Sequence, residues 1–203
     1  MLAAIFQAAG KKTGLYTSPH YVDFRERIRV DGRSISKAAV VRFVEENKAS
    51  FEKISPSFFE ITVAMAFEHF QKEKVDIAII ETGLGGRLDS TNIIQPMMSV
   101  ITNIGFDHVN MLGDTLEKIA FEKAGIIKNG VPVVTGATDE ALSVIEKTAD
   151  GKIPVIKSYD WEYLGNQKFL IKGSLNDYTV KTSMIGRFQG KNIALAVAVV
   201  ENL

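Results

Sequence analysis

The hydrophobic positions of the chain switch between a helical spacing and short continuous runs. Apolar residues at 58, 59, 61, 65, 66 and 70 fall on one face of a helix. Ser57 precedes this stretch and Ser36 precedes another, and serine is a preferred residue at helix N-termini. On this basis we predict helices at 2–9, 36–53, 57–74, 115–124, 138–149 and 190–203.

The apolar runs between these helices predict strands. The run DIAIIE at 76–81 is almost continuously apolar, which is typical of a strand buried on both faces in a parallel sheet. Turns at Gly165-Asn166 and Asn176-Asp177 indicate hairpins between 153 and 184. Further strands are predicted at 13–17, 28–30, 98–102 and 131–135, and an aromatic and charged loop at 21–27.

Strands that alternate with helices indicate an α/β fold. We predict a mostly parallel sheet flanked by helices, with a small antiparallel β excursion at 153–184.

Charge and composition narrow the class of partner. Lys plus Arg and Asp plus Glu both number 24, so the formal net charge is zero. Without a basic excess, neither nucleic acid nor an anionic membrane is favoured, although a local basic site for a phosphorylated ligand is compatible with this balance. The chain has no cysteine, which excludes disulfides, thiolate catalysis and Cys-ligated zinc.

The sequence contains no recognisable targeting or membrane segment. The apolar opening MLAAIFQAAG is followed, not preceded, by charges, unlike a signal peptide. The longest uncharged run, 90–106, contains Gln95 and Pro96 and is too short and too polar to cross a bilayer. We therefore expect a cytoplasmic protein.

Polar side chains follow the predicted strands at their carboxyl ends, where open parallel sheets bind ligands. Ser18-Pro19-His20 follows the strand at 13–17. Glu81 ends the strand at 76–81, and His108 comes shortly after the strand at 98–102. Hydroxyl, carboxylate and imidazole groups are the ligands that a metal–phosphate site needs.

Each of these residues also has a plain structural explanation. Glu81 is either an acid near solvent or a rigid carboxylate ligand for Mg²⁺. His108 lies in a polar turn, where a lone histidine is more often a surface or capping residue than a ligand. Lys123 has the position of an ordinary solvated helix lysine, and spacing alone assigns it no role.

The glycine-rich loop after Glu81 could also belong to a dinucleotide-binding fold. Gly83-Leu84-Gly85-Gly86 follows a predicted strand, but Leu88 occupies the third glycine position of G-x-G-x-x-G. The following LDSTNIIQP is not predicted to be helical, so no helix N-terminus is available for a pyrophosphate. We therefore disfavour a nicotinamide- or flavin-dependent oxidoreductase.

The sequence contains four long distinctive segments: TGLYTSPHYVDFRERIRVDGRSIS, ETGLGGRLDSTN, SVITNIGFDHVNMLGDTLEKIAFEKAGIIKNGVPVVTG and GRFQGKNIALA. Together they resemble the folylpolyglutamate/dihydrofolate synthase family of the Mur ligase superfamily. The resemblance runs from about Leu2 to Leu203, and TSPH with FRERI indicates the folate branch over the peptidoglycan branch. It implies a ligase that adds glutamate to folate through an acyl phosphate, with two Mg²⁺ ions and with ATP as co-substrate.

The resemblance implies roles for individual residues. Glu81 resembles the family's metal-binding acid, His108 its second-metal histidine and Ser18 a ligand of the first Mg²⁺. Lys123 resembles a lysine that family members carbamylate with CO₂; a carbamate supplies anionic oxygens, whereas an ammonium would repel the metal. Glu81, His108 and Lys123 are thereby the implied catalytic residues. Adenine contacts are implied at Gln189 and Asn192, and folate-side contacts at Thr17, Pro19, His20, Phe24, Arg25 and Asp89.

The sequence departs from the family pattern at the ATP phosphates. No G-x-x-x-x-G-K-[ST] loop is present, and the nearest fragment, Gly10-Lys11-Lys12-Thr13, lacks the spacing. We therefore expect residues 1–203 to be a single, incomplete central ATPase domain that lacks the C-terminal domain. By itself it should be inactive, because phosphoryl positioning is lost, and only marginally stable.

The full enzyme is expected to be a monomer that binds folate, glutamate and ATP, without a nucleic-acid or membrane partner. Two further functions stay open. One is another Mur-type ligase, and the other is a non-catalytic remnant that binds a pterin or a partner protein.

Overall fold

The computed structural model describes every residue from Met1 to Leu203. The chain divides into two compact units. The first comprises Met1–Leu84 and Asp89–Ile93, and the second comprises Gly85–Leu88 and Ile94–Leu203. None of the helices combines the length and the apolar character that a membrane crossing requires.

The first unit contains a four-stranded mixed sheet in the order β3-β2-β1-β4. Strand β1 pairs with β4 in parallel and with β2 antiparallel. The parallel register sets Tyr16 opposite Ile80, so the residues that follow both strands emerge at the same edge. The elements are α1 (Leu2–Ala8), β1 (Thr13–Tyr16), β2 (Ile28–Val30), β3 (Arg33–Ser34), α2 (Lys37–Ile54), α3 (Phe58–Glu73) and β4 (Ile77–Ile80).

Capping side chains fix the starts of α2 and α3. Ser36 accepts the N–H of Ala39, and Ser57 accepts the N–H of Glu60 at 3.2 Å. The Glu60 carboxylate in turn accepts the Ser57 N–H at 2.7 Å, which completes a capping box. Helix α3 then packs on β1 and β2, with Met65, Ala66 and Phe70 of the predicted apolar face in the core. Val63, which the predicted face did not include, is also in the core, whereas Phe58 is exposed.

The second unit contains a parallel sheet of β5, β6 and β7 and an antiparallel sheet in the order β10-β9-β8. Ile145 of α6 and Val133 of β6 are fully buried in one core. Phe169 and Ile171 of β9 are fully buried in a second core beneath α7. The elements are β5 (Ser99–Ile101), α4 (Val109–Leu112), α5 (Leu116–Ala124), β6 (Val133–Thr135), α6 (Asp139–Ala149), β7 (Val155–Lys157), β8 (Asp160–Gly165), β9 (Lys168–Lys172), β10 (Asp177–Lys181) and α7 (Gln189–Glu201).

The predicted α/β class is confirmed, with a parallel sheet, flanking helices and an antiparallel sheet near the C-terminal part. The prediction that 76–81 is buried on both faces is wrong. Ala78 is exposed and its neighbours in β4 are only half-buried. Strand β4 lies at the edge of its sheet, where a continuous apolar run need not be covered on both sides.

Three short elements differ from the expectation. The loop at 21–27 contains a 3₁₀ helix at Phe24–Arg27, and LDSTNIIQP contains a 3₁₀ turn at Ser90–Ile93. Within the predicted excursion at 153–184, β7 joins the parallel sheet by pairing with β6. The antiparallel sheet is therefore confined to 160–181.

Candidate functional site

Ser18 and Glu81 meet at the shared carboxyl edge of β1 and β4. The backbone N–H of Ser18 donates to Oε2 of Glu81 at 2.9 Å, and the N–H of Glu81 donates to the carbonyl of Tyr16 at 3.0 Å. Glu81 is exposed and Ser18 is half-buried. The residues that follow β1 and β4 thus meet at one edge, as the sequence predicts, with the Glu81 carboxylate held by the Ser18 backbone.

The side chain of Tyr16, the last residue of β1, packs beneath this edge. Tyr16 is fully buried, and its hydroxyl lies 3.1 Å from the Thr62 hydroxyl. Burial raises the pKa of Tyr16, against the opposing effects of the Thr62 hydrogen bond and of Arg27. Tyr16 therefore stays neutral and serves as a packed support for the edge.

The loop at 17–27 follows β1 and carries the predicted folate-side residues. The Ser18-Pro19 peptide bond is cis. Arg27 donates from Nε to Nδ1 of His20 at 2.9 Å, and its guanidinium lies 5.5 Å from the centre of the Phe58 ring. Because Nδ1 of His20 accepts this bond, the proton of the neutral imidazole lies on Nε2. The ring of Phe24 meets Phe58 edge-on at 6.3 Å.

Arg25 is less available to a substrate than its position suggests. Its guanidinium makes a 2.7 Å ion pair with Asp23, and its backbone N–H donates to the same carboxylate at 2.9 Å. These bonds lower the pKa of Asp23 to about 2 and raise the pKa of Arg25. The ion pair stabilises the loop conformation, so the guanidinium of Arg25 is already engaged within the loop.

Asp89 also organises its own loop. Its Oδ2 accepts the N–H groups of Gly83 at 2.8 Å and Leu84 at 2.9 Å. Its Oδ1 accepts the N–H and hydroxyl of Thr91, which is buried. The glycine-rich loop is thus tied to a carboxylate, and the N–H at the start of the 3₁₀ turn is already satisfied.

In the second unit, His108 begins α4. Its backbone adopts φ +49°, and its carbonyl accepts the N–H groups of Met111 and Leu112. The imidazole is well exposed, and Nε2 lies 3.7 Å from the Asp107 carboxylate. His108 is therefore both a capping residue and an imidazole open to a ligand, which keeps both sequence interpretations standing.

Lys123 lies in the last turn of α5, against the glycine-rich segment 85–88. The Arg87 N–H donates to the Glu122 carbonyl at 2.8 Å, and the two side chains form a 2.9 Å ion pair. A Cβ on Gly86 would lie 2.8 Å from the Lys123 carbonyl, so only glycine allows this approach. The Lys123 side chain is half-buried and forms none of the chain's ion pairs.

Gln189 and Asn192 occupy the first turn of α7. Nδ2 of Asn192 donates to Oε1 of Gln189 at 3.1 Å, and Asn192 is exposed. The two amides are thus side by side, with Asn192 exposed and Gln189 half-buried, an arrangement that an adenine contact could use.

Two pairs of predicted residues are in contact in the structure. Ser18 and Glu81 are in contact, and Gln189 and Asn192 are in contact. No three His, Cys, Asp or Glu side chains gather into a metal-binding group within either unit.

Sequence reasoning missed the residues that shape the loop at 17–27. Glu26 accepts the backbone N–H groups of Tyr21, Val22 and Asp23, and Asp23 caps the 3₁₀ helix. Asp23-Phe24-Arg25-Glu26 has the spacing of a capping box, and this signal could have found both acids.

The chain resembles known proteins in sequence. A family model described as the Mur ligase middle domain matches residues 33–200. The dihydrofolate synthase/folylpolyglutamate synthase of Bacillus subtilis (strain 168) is 41% identical over 217 residues, which cover 98% of this chain and 50% of that protein. The chain thus spans about half the length of the curated relatives it matches.

Two solved structures show the same fold with ligands bound. An FPGS-AMPPCP-folate complex superposes with a TM-score of 0.91 at 32% identity, covering 98% of this chain and 53% of that one. Escherichia coli FolC in complex with DHPP and ADP gives 0.88 at 30% identity, covering 98% and 48%.

Proposed function

Because this chain belongs to the Mur ligase middle-domain family, we propose that the protein is an ATP-dependent ligase that adds L-glutamate to a folate. The proposal rests above all on two observations. The fold agrees over 98% of the chain with an FPGS-AMPPCP-folate complex, and the polar strand ends Ser18 and Glu81 lie together at one edge. Dihydropteroate is a second substrate consistent with the likeness to the E. coli complex.

The donor chemistry at Ser18 and Glu81 fits a Mg²⁺ ion. Oε2 of Glu81 is held by the Ser18 N–H, which orients the carboxylate and leaves Oε1 for a hard cation. We assign these two residues to the first ion and the exposed imidazole of His108 to the second. Bound Mg²⁺ would supply positive charge to the phosphate oxygens as the phosphoryl group moves.

Lys123 is assigned a carbamate. A half-buried lysine without an ion pair is a candidate for reaction with CO₂, since its neutral amine can attack CO₂ and release a proton without breaking an ion pair. The segment 85–88 fixes the backbone of α5 at this point through the Arg87–Glu122 contacts. The carbamate would present two anionic oxygens from a fixed position.

The reaction then proceeds by transfer of the γ-phosphoryl group of ATP to the substrate carboxylate. The bond to the β-phosphate oxygen breaks, ADP leaves, and an acyl phosphate forms. The amine of glutamate attacks the acyl carbon, loses a proton and expels inorganic phosphate. We assign adenine contacts to Gln189 and Asn192, and folate-side contacts to the loop at 17–27 and to Asp89.

The proposal is tested by ADP release that depends on both tetrahydrofolate and glutamate, using the longest natural protein that contains this sequence. Substitution Glu81→Gln should lower kcat by roughly 10²–10³-fold, because charge stabilisation at the phosphoryl group is lost. Asp76→Asn is the matched control. Asp76 lies just before the other end of β4, where it accepts the Lys12 N–H at 2.7 Å, and its loss should leave kcat unchanged.

Full activity of the Glu81→Gln variant would show that Glu81 is not a metal ligand. Absence of turnover in the unsubstituted protein, together with retained folate binding, would instead support the non-catalytic alternative. Binding of neither ATP nor folate would contradict the proposed function altogether.

A further inference from the structure

Two apolar side chains at the tip of the loop at 17–27 are almost completely exposed. Tyr21 is 96% exposed and Val22 is 90% exposed. We call these two residues the loop tip. Packing does not stabilise their side chains, since neither contributes to the core of the first unit.

The backbone of the loop tip is nevertheless firmly held by one carboxylate. Oε2 of Glu26 accepts the N–H of Tyr21 at 3.1 Å. Oε1 accepts the N–H groups of Val22 at 3.3 Å and Asp23 at 2.9 Å. Three successive backbone donors therefore converge on Glu26, and bonds to an ionised acceptor are stronger than neutral ones.

Both flanks of the loop tip are fastened as well. On one side, His20 accepts the hydrogen bond from Nε of Arg27. On the other, Asp23 is paired with Arg25 at 2.7 Å. The loop therefore has a fixed shape before any ligand arrives.

A fixed shape for an exposed aromatic side chain favours binding. Tyrosine offers a large, rigid contact surface at low conformational cost. Because the backbone that carries it is already held, the backbone's share of the ordering cost of binding is removed. The neighbouring residues, Pro19 and His20, are already assigned to the folate side.

We propose that Glu26 is a positioning residue whose carboxylate holds the loop tip as a rigid apolar contact for the aromatic part of the folate substrate. This inference rests on the proposed function and adds to it the residue that shapes the folate side. Tyr21 and Val22 are the side chains that touch the substrate, and Glu26 acts through them.

The electrostatics of the loop agree with this role. The hydrogen bonds from the N–H groups of Asp23 and Tyr21 lower the pKa of Glu26. The carboxylate thus stays ionised through the neutral and weakly acidic range, and the loop tip stays in place.

The substitution Glu26→Gln tests the proposal, with Glu60→Gln as the matched control. Both glutamates complete a capping box in the first unit. At Glu60 the carboxylate accepts the backbone N–H of Ser57 through one oxygen only, so the oxygen of glutamine can replace it. At Glu26 both oxygens accept, so glutamine places an N–H₂ group against a backbone N–H.

The measurement is the dissociation constant for tetrahydrofolate, with AMPPCP binding measured in parallel. Glu26→Gln should weaken tetrahydrofolate binding about tenfold, as the loss of one charged hydrogen bond implies. AMPPCP binding should not change in either variant. Thermal unfolding of both variants checks that each is folded.

A double-substitution cycle shows whether Glu26 acts through Tyr21. Tyr21→Ala alone should weaken tetrahydrofolate binding to a similar extent. Combining it with Glu26→Gln should add little further loss, because the two changes remove one contact.

Each outcome bears on either the role of Glu26 or the proposed function. Equal tetrahydrofolate affinity in Glu26→Gln and Glu60→Gln, or fully additive effects with Tyr21→Ala, would overturn the role of Glu26 while leaving the proposed function intact. No tetrahydrofolate binding by the unsubstituted protein would overturn the proposed function and, with it, this inference.

Discussion

At the scale of single residues, Glu201 shows how one carboxylate joins distant parts of the second unit. It lies at the C-terminal end of α7 and accepts the N–H of Ser174 at 2.8 Å and of Leu175 at 3.1 Å, both in the turn between β9 and β10. It also accepts the Ser174 hydroxyl at 2.9 Å. Glu201 therefore fastens α7 to the antiparallel sheet.

The pH dependence of stability follows from this network. Partial removal from water acts to raise the pKa of Glu201, but hydrogen bonds from Tyr159, Tyr178 and Ser174 outweigh it and lower the pKa to about 2. A lowered folded-state pKa contributes stability that is present above the unfolded value of about 4.3 and is lost as the pH falls toward 2. Glu201→Gln should therefore lower the melting temperature at neutral pH, and its difference from the unsubstituted protein should shrink between about pH 5 and pH 2.

The melting temperatures of Glu201→Gln and of the unsubstituted protein are measured over this pH range, with Glu162→Gln as the control variant. Glu162 is an exposed glutamate on β8, and its substitution should leave the melting temperature unchanged at every pH. A Glu201→Gln difference that stays constant with pH would show that the network acts without its charge.

Residues that follow strands were predictable, whereas long-range partners were not. Ser18 and Glu81 could be named because the carboxyl ends of parallel strands share an edge. Nothing in the local sequence around Glu201 signals its bonds to Ser174, 27 positions away. His108 was a candidate through its place after a strand, but its assignment to a second metal came from the resemblance. The role implied for Lys123 came from the resemblance alone, since its spacing is that of an ordinary helix lysine.

At the scale of elements, the starts of helices were predicted well because capping is local chemistry. Ser36 and Ser57 begin α2 and α3 as expected. Strand burial was predicted less well, since the run at 77–80 carries no sign of lying at a sheet edge. Helix α4 has one turn only, which is too short for a hydrophobic period to reveal.

The packing of α7 on the antiparallel sheet gives a prediction at the same scale. A Cβ on Gly190 would lie 2.2 Å from the ring of Trp161 on β8. Gly190→Ala should therefore destabilise the protein by about 1–3 kcal/mol through overpacking. This outcome runs against helix propensity, which favours alanine over glycine by about 1 kcal/mol.

Urea unfolding of Gly190→Ala and Gly105→Ala separates these two effects. A Cβ on Gly105 meets no atom within 4 Å, and its φ is not in the left-handed region. Gly105→Ala should therefore be neutral or slightly stabilising. Equal stability of the two variants would show that α7 shifts on the sheet to accept the new methyl group.

At the scale of the whole molecule, composition and fold class limit the function without deciding it. Zero net charge disfavours nucleic acid, and the α/β fold alone would admit many activities. The proposed folate side rests on the matched segments, on the agreement with solved complexes and on the loop at 17–27. The class of ligand is therefore the property to test on the whole protein.

Ligand-dependent unfolding tests that class directly. A ligand that binds only the folded protein at about 100 times its Kd raises the free energy of unfolding by about 2.7 kcal/mol. Tetrahydrofolate should give this stabilisation, and Glu26→Gln at the same ligand concentration should show about 1.4 kcal/mol less, which corresponds to tenfold weaker binding. A nicotinamide cofactor at the same concentration should give no stabilisation, because no helix N-terminus follows Gly83–Gly86 to hold a pyrophosphate. Stabilisation by the nicotinamide cofactor and not by tetrahydrofolate would replace the ligase with an oxidoreductase.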